Sequence, residues 1–168
     1  ETKKLIEVKG GKSEIVILDL LSLESIKSAV ALTKQKAENL DILANIAGMY
    51  HDDKKHFFDI PFEDYPDDAI IQNINSSLVG HILLTKYLVP IMRRGSSIIN
   101  MSGTFDAGET GVISDYVTKK SIEIFSKQLS LELKDKGIRS NCIRPGFVYT
   151  ENVKKFFQDV RKEDALDP

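Results

Sequence analysis

Ser114-Asp115-Tyr116-Val117-Thr118-Lys119-Lys120 opens a long helical pattern, and the rest of the chain is organised around it. Tyr116 and Lys120 are four residues apart, which on a helix sends both side chains from one face, one turn apart. A phenol beside an ammonium is an acid/base device. At ~4 Å and an effective dielectric of ~20, the cation favours the phenolate by about 4 kcal/mol. Spacing alone does not single the pair out, because Tyr50 and Lys54 repeat the interval in a polar stretch that reads as loop. What distinguishes Tyr116 and Lys120 is their surroundings.

Downstream of them, Ile122, Phe125, Leu129 and Leu133 mark one helical stripe, and the pair projects away from it, so core packing does not account for either residue. Gly137 caps this helix, and Arg139 to Ile143 reads as a strand. Upstream, Ser97 to Met101 reads as a strand. It follows a helix from Ile70 to Arg94 that is apolar over much of its circumference (Leu78, Ile82, Leu83, Leu84, Leu88, Val89, Met92) and is ended by Gly95. Met49 to Asp68 reads as loop. Ile42-Leu43-Ala44 reads as a short strand running into the turn Asn45-Ile46-Ala47-Gly48. Ile15 to Leu18 reads as a buried strand. Ser22 then caps a helix from Leu23 to Ala37 with Ile26, Val30 and Thr33 on one face. Strands alternating with helices predict an α/β domain built on a doubly wound parallel sheet. Ligands in such sheets sit beyond the carboxyl ends of the strands. Asp19, Asn45, Ser102 and Pro145-Gly146 all fall at such ends, which predicts a cofactor or substrate site there.

Length and composition agree with this. The 168 residues read as a single domain, 1–168, and a net charge of −2 with interspersed signs gives no nucleic-acid footprint. No apolar run reaches the ~18 residues needed to cross a bilayer, and Glu1-Thr2-Lys3-Lys4 is not a signal peptide, so no membrane partner is expected. The single cysteine, Cys142, leaves no intrachain disulfide; a reduced, cytoplasmic setting and an inert strand thiol are expected. His51, His56, Asp52 and Asp53 lie in a loop without i, i+4 spacing between the histidines, so no metal site is expected. Phe57, Phe58, Phe62 and Tyr65 either line a substrate entrance or pin that loop to the domain. Val153 to Val160 reads as an amphipathic helix and Arg161 to Pro168 as a charged tail.

With these motifs in order, the chain resembles the short-chain dehydrogenase/reductase family. Asp19-Leu20 resembles the family's adenine-contacting aspartate, and Asn45-Ile46-Ala47-Gly48 its N-N-A-G turn. Tyr116 to Lys120 resembles Y-x-x-x-K, and Pro145-Gly146, continuing through Val148 to Thr150, resembles the P-G loop over the nicotinamide. Gly137 to Asn141 is similar to the approach to that loop, and Ser77 to Pro90 is similar to the retinol-dehydrogenase-like branch. The resemblance implies a Rossmann-like three-layer fold and NAD or NADP as cofactor. The reaction it implies is hydride transfer to or from an alcohol or carbonyl substrate. Tyr116 would pass the substrate's proton, and Lys120 would favour the phenolate and hold the nicotinamide ribose. A serine would polarise the carbonyl oxygen, and an asparagine would keep a water chain. Helices such as Ile70–Arg94 and Ser114–Lys134 would build a homodimer or homotetramer.

Two departures stand against that pattern. Family spacing places the serine thirteen residues before the tyrosine, where this chain has Gly103; Ser102 is one position early and Thr104 one late. Counting back from Gly80, Ser77 takes the asparagine's place, with Asn75 and Asn73 nearby. A lost carbonyl donor can be worth roughly 3 kcal/mol, so a non-catalytic nucleotide-binding or scaffold relative is the alternative. The family's first strand and G-x-x-x-G-x-G loop have no counterpart in the sequence, which leaves the strand at Ile15 without a neighbour. These residues therefore read as the central portion of a longer domain, incomplete at the N-terminus and, by the same comparison, at the C-terminus. An intact mass of the purified protein above 18.9 kDa is the expected outcome, and a mass equal to it refutes this reading.

Overall fold

Parallel pairing organises the residues that the computed structural model describes, namely 1–48, 60–103, 112–146, 148 and 150. Strands β1 (Leu40–Asn45), β2 (Met92–Met101) and β3 (Arg139–Ile143) form a sheet in the order β1-β2-β3, with both pairings parallel. Parallel neighbours need a crossover between them. Helices supply it: α3 (Asp67–Ile74) and α4 (Gly80–Leu88) lie between β1 and β2, and α5 (Ile113–Glu132) lies between β2 and β3. Ahead of the sheet come α1 (Thr2–Val8) and α2 (Leu23–Lys36). The α2 helix starts where the capping signal places it, with Ser22 Oγ accepting from the Ser25 N–H at 3.1 Å.

Successive strand residues point to opposite faces. Leu43, Asn45, Ser96, Ile98, Asn100 and Ser140 are buried on one face, whereas Ile42, Ala44, Arg139, Asn141 and Ile143 on the other are more open. The covered face meets the helices. Ile26 and Val30 of α2, Leu88 of α4 and Leu133 beyond α5 close over Leu43 and Ile98 in one core, joined by Ile138. Two of the layers expected of a doubly wound domain, a parallel sheet and one bank of helices, are thus described.

Three expectations are corrected. Ile15 to Leu18 is not a strand; Ile15 and Ile17 are 72% and 90% exposed. A strand needs a neighbour to pair its backbone groups, and none of the described strands pairs with this segment. The helix expected over Ile70–Arg94 is not continuous. A single π-helical turn over Asn75–Val79 separates α3 from α4, and a short 3₁₀ turn, Val89–Ile91, precedes β2. Pro90 lacks an N–H and cannot extend the α-helical ladder, so β2 begins at Met92. Gly95 is not a helix stop but a bend within β2. It takes φ +93°, a conformation open to glycine, and donates its N–H to Gly137 O at 2.8 Å.

Ile98 has no exposed surface, so Ile98→Ala is expected to lower unfolding stability by about 2–5 kcal/mol. Ile17→Ala, in a segment with no strand partner among the described residues, is expected to change it by less than about 0.5 kcal/mol. Urea denaturation followed by circular dichroism checks both; a loss at Ile17 comparable to that at Ile98 would show that the segment is part of the core.

Candidate functional site

The carboxyl ends of β1 and β2 are locked together by buried amides. Asn45 Nδ2 donates to Thr85 Oγ1 of α4 at 2.9 Å and to Asn100 Oδ1 of β2 at 2.8 Å. Asn100 Nδ2 donates in turn to Ser126 Oγ of α5 at 2.9 Å. The Asn45 side chain therefore faces the sheet–helix junction rather than the turn that follows it. Beyond this junction the chain emerges at Gly48. A Cβ added there would lie 3.2 Å from Ser77 Oγ and 3.8 Å from Lys119 Nζ. Bare backbone, a hydroxyl-bearing residue and a cation thus meet at the mouth of the sheet.

Two rows of side chains frame this point. Asn73, Ser77 and His81 follow one another at four-residue intervals through α3, the π turn and α4, and all three are buried. Asp115 and Lys119 are four residues apart on α5. Asp115 is 4% exposed, and burial pushes its carboxyl above the ordinary range, a shift that the Lys119 ammonium and the Asn73 amide oppose. Its Oδ2 is buried without a hydrogen-bond partner among the described residues. Burial pushes the His81 imidazole down against the opposing carbonyl of Ser77, and the Lys119 cation adds to the fall. The contact between His81 Nδ1 and Ser77 O is 3.0 Å. A carbonyl only accepts, so Nδ1 carries the proton and Nε2 is the acceptor.

Tyr116 and Lys120 occupy a different face of α5. Lys120 Nζ lies 5.7 Å from the centre of the Tyr116 ring and 3.3 Å from Glu123 Oε1. Arg144 Nε reaches the same carboxylate oxygen at 3.2 Å. Burial would push Glu123 up, but the Ser102 hydroxyl, Lys120 and Arg144 outweigh it and hold the carboxyl below the usual range. Ser102 is buried, its hydroxyl 3.0 Å from Lys119 O and 2.9 Å from Glu123 Oε1. Both acceptors compete for its one proton. The sequence pairs Tyr116 with Lys120, and the structure keeps them together, but the α5 cation that reaches Gly48 is Lys119.

The other expected residues are spread around the rim. Asp19 is exposed and closes a turn by accepting from the Leu21 N–H at 2.9 Å. Leu20 crosses α4 at Gly80, where a Cβ would stand 2.6 Å from Leu20 O. Ala47, Gly146, Val148 and Thr150 are exposed, and Pro145 is partly buried. Cys142 is partly buried, and burial pushes its thiol up. Tyr65 pins its segment to α5 through a 3.0 Å hydrogen bond to Ser114 Oγ, whereas Phe62 is 69% exposed. Thr104, Tyr50, His51, Asp52, Asp53, Lys54, His56, Phe57, Phe58 and the segment from Val153 to Pro168 lie outside the described residues. Asn73 stands near the asparagine position of the resemblance, whereas Asp115, Lys119 and His81 were not singled out by motif. A signal for two of them exists: Ser102 stands thirteen residues before Asp115, the spacing that the resemblance assigns to its serine and proton carrier, with Lys119 four beyond.

A family profile described as Enoyl-(Acyl carrier protein) reductase matches residues 1–167. The chain is 30% identical over 158 residues to the uncharacterized oxidoreductase YgfF of Escherichia coli, covering 90% of this chain and 62% of that protein. It is 31% identical over 159 residues to 3-oxoacyl-[acyl-carrier-protein] reductase FabG of Thermotoga maritima, covering 93% and 61%. An oxidoreductase from Haemophilus influenza with bound NAD superposes with a TM-score of 0.76 at 28% identity, covering 89% of this chain and 58% of its own. L-sorbose reductase from Gluconobacter frateurii, complexed with NADPH and L-sorbose, gives a TM-score of 0.82 at 24% identity, covering 96% and 60%. The chain spans about three fifths of the length of the curated relatives it matches.

An ordinary histidine protonates near 6.5, and His81 is held below that. The unfolded chain therefore takes up a proton that the folded chain refuses. The stabilisation is complete above pH 6.5 and declines as the pH falls below it. The urea midpoint is expected to drop between about pH 7 and 5.5, and His81→Gln is expected to flatten that drop. An unchanged slope in the variant would assign it to other groups.

Proposed function

The chain belongs to the short-chain dehydrogenase/reductase family, and from that premise we propose that it is an NAD(P)-dependent oxidoreductase that moves a hydride between a nicotinamide and an alcohol or carbonyl substrate. The observation that carries this reading is the meeting of Gly48, Ser77 and Lys119 where β1 and β2 end. Ligands of open parallel sheets sit there. A glycine backbone beside a hydroxyl-bearing residue and an ammonium suits a ribose hydroxyl pair, so the residues present fit the nicotinamide half of the cofactor. Lys119 would hold the ribose. Ala47 and Gly48 would line it, Pro145, Gly146, Val148 and Thr150 would cover it, and Asp19 with Leu20 would meet the adenine end. When bound, the cofactor supplies the hydride.

The chain's own residues handle the proton. The first turns of α5 offer two pairs that could carry it, Tyr116 with Lys120, the motif read from sequence, and Asp115 with Lys119, the buried cluster. Ser102 is placed to act on a carbonyl oxygen only if its hydroxyl is released from Glu123 and Lys119 O. That restraint favours, as a second reading, a nucleotide-binding relative without turnover. No described helix is long and apolar enough to cross a membrane. A cytoplasmic homo-oligomer completes the proposal, supported by the exposed Val117, Ile124 and Leu131 along α5.

Titration with NADH and with NADPH, followed by nicotinamide fluorescence, is expected to show saturable binding of at least one. Absence of binding by both removes the oxidoreductase reading; binding without turnover of any alcohol or carbonyl offered supports the second.

A further inference from the structure

Resting on the oxidoreductase reading, we propose that Asp115 with Lys119, rather than Tyr116 with Lys120, is the working pair of this site. Asp115 Oδ2 carries the substrate's proton, and Lys119 holds the cofactor beside Gly48. Three independent observations converge on it. The first is reach. Lys119 Nζ approaches the open backbone of Gly48 at the mouth of the sheet, while Lys120 Nζ is engaged with Glu123, the carboxylate that Ser102 also meets.

The second is an unfilled bond. Asp115 is 4% exposed, yet its Oδ2 has no hydrogen-bond partner among the described residues; Asn73, whose amide acts on the same carboxyl, likewise leaves Oδ1 buried and unpartnered. Buried polar atoms are rarely left so. A substrate oxygen that accepts one hydrogen bond and, as an alcohol, donates another answers both atoms, which points to an alcohol or hydroxy-carbonyl ligand. The third is charge balance. Burial favours the neutral carboxylic acid and Lys119 the carboxylate, the arrangement a proton carrier needs. Tyr116, by contrast, is partly exposed beside its cation.

In the reducing direction Asp115 gives its Oδ2 proton to the carbonyl oxygen while the carbon takes a hydride from the dihydronicotinamide. The C=O π bond is replaced by one C–H and one O–H bond. Asp115 is left as carboxylate and takes a proton back from water. Among the described residues, the groups that act on Asp115 are Lys119 on its own helix and the neutral Asn73 of α3; the same Lys119 also lowers His81 of α4.

The test uses the full chain labelled with ¹³Cγ-aspartate, with NADH and NADPH as probes. A carboxyl titrating above the ordinary aspartate range is expected, identified by its loss in Asp115→Asn. Lys119→Met should raise its midpoint further, together with that of His81, because the same cation lowers both; Lys120→Met should move neither. Saturation with the bound cofactor should move the Asp115 midpoint by at least about half a pH unit, which a merely structural aspartate away from the ligand would not show. Lys119→Met should weaken cofactor binding at least about tenfold and Lys120→Met less than about twofold. A midpoint indifferent to cofactor, or the reverse order of the two lysines, overturns the assignment while leaving the oxidoreductase reading in place. Failure of the unaltered chain to bind either nucleotide overturns both. Should Asp115→Asn fail to fold, the two lysine variants decide the question alone.

Discussion

A hydrogen bond between two buried amides, from Asn45 Nδ2 to Asn100 Oδ1, fixes where everything else stands. Asn45 and Asn100 are also register partners in the parallel ladder, so the bond and the pairing specify the same alignment. A slip of one residue would turn one of the two amides to the open face and leave the other without its partner. Each such bond contributes only about 1 kcal/mol net, but leaving a buried amide unmade costs about 1–3 kcal/mol, so the constraint acts mainly against alternatives. Through Thr85 and Ser126 it also seats α4 and α5 at one height. Gly48 and Ser102, a few residues beyond the two asparagines, consequently emerge at the same level of the sheet.

Once α5 is seated, its rotation about its own axis decides which residues reach that level. Ser126 is tied to Asn100, Ile122 is 3% exposed, and Thr118 is buried with its hydroxyl on Ser114 O at 2.6 Å. Continuing that row toward the amino end arrives at Asp115, not Tyr116. Neighbouring helix positions differ by about 100°, enough to send one residue beneath α3 and the next to the rim. The Tyr116–Lys120 spacing survives this rotation intact, since i, i+4 pairs share a face whatever direction that face takes. The interval read from sequence therefore carries no information about where the pair points.

Much of the fold was legible because its signals were local. Ser22 announces α2, the Ile122–Leu133 stripe announces most of α5, and the alternation of elements implies a parallel sheet. Gly137 was read as the cap of α5, but the C-cap is Leu133; Gly137, four residues on at φ +65°, closes the turn that feeds β3. What was not legible depended on neighbours. Ile15 to Leu18 has strand composition, but composition cannot supply a pairing partner. The apolar run through Val89 and Met92 reads as continuous helix because a buried strand and a buried helix segment look alike over a few residues; Pro90 was the available stop signal. The stripe of α5 was drawn from apolar residues alone and so ended at Ile122. Extending it at spacings of three and four through buried polar residues gives Thr118 and Asp115. Buried polar side chains near a strand end make up the candidate site, and a pattern built on hydrophobicity passes over them.

The π turn over Asn75–Val79 explains how α3 and α4 present a matching row. In a regular α-helix four residues overshoot a full turn, so side chains at Asn73, Ser77 and His81 would drift steadily around the axis. A wider turn advances less per residue, and the drift shrinks. The three polar side chains stay aligned toward α5 over two four-residue steps, at the expense of a break in the ordinary ladder that His81 Nδ1 partly mends by donating to Ser77 O. Such bulges are rare and are found frequently at functional sites. Here the irregular turn places Ser77 against Gly48 and brings the neutral imidazole of His81 within the field of Lys119. Among the described residues, Asp115 is the carboxyl on which the Lys119 cation acts, and the irregular turn brings the polar row of α3 and α4 to that same cation.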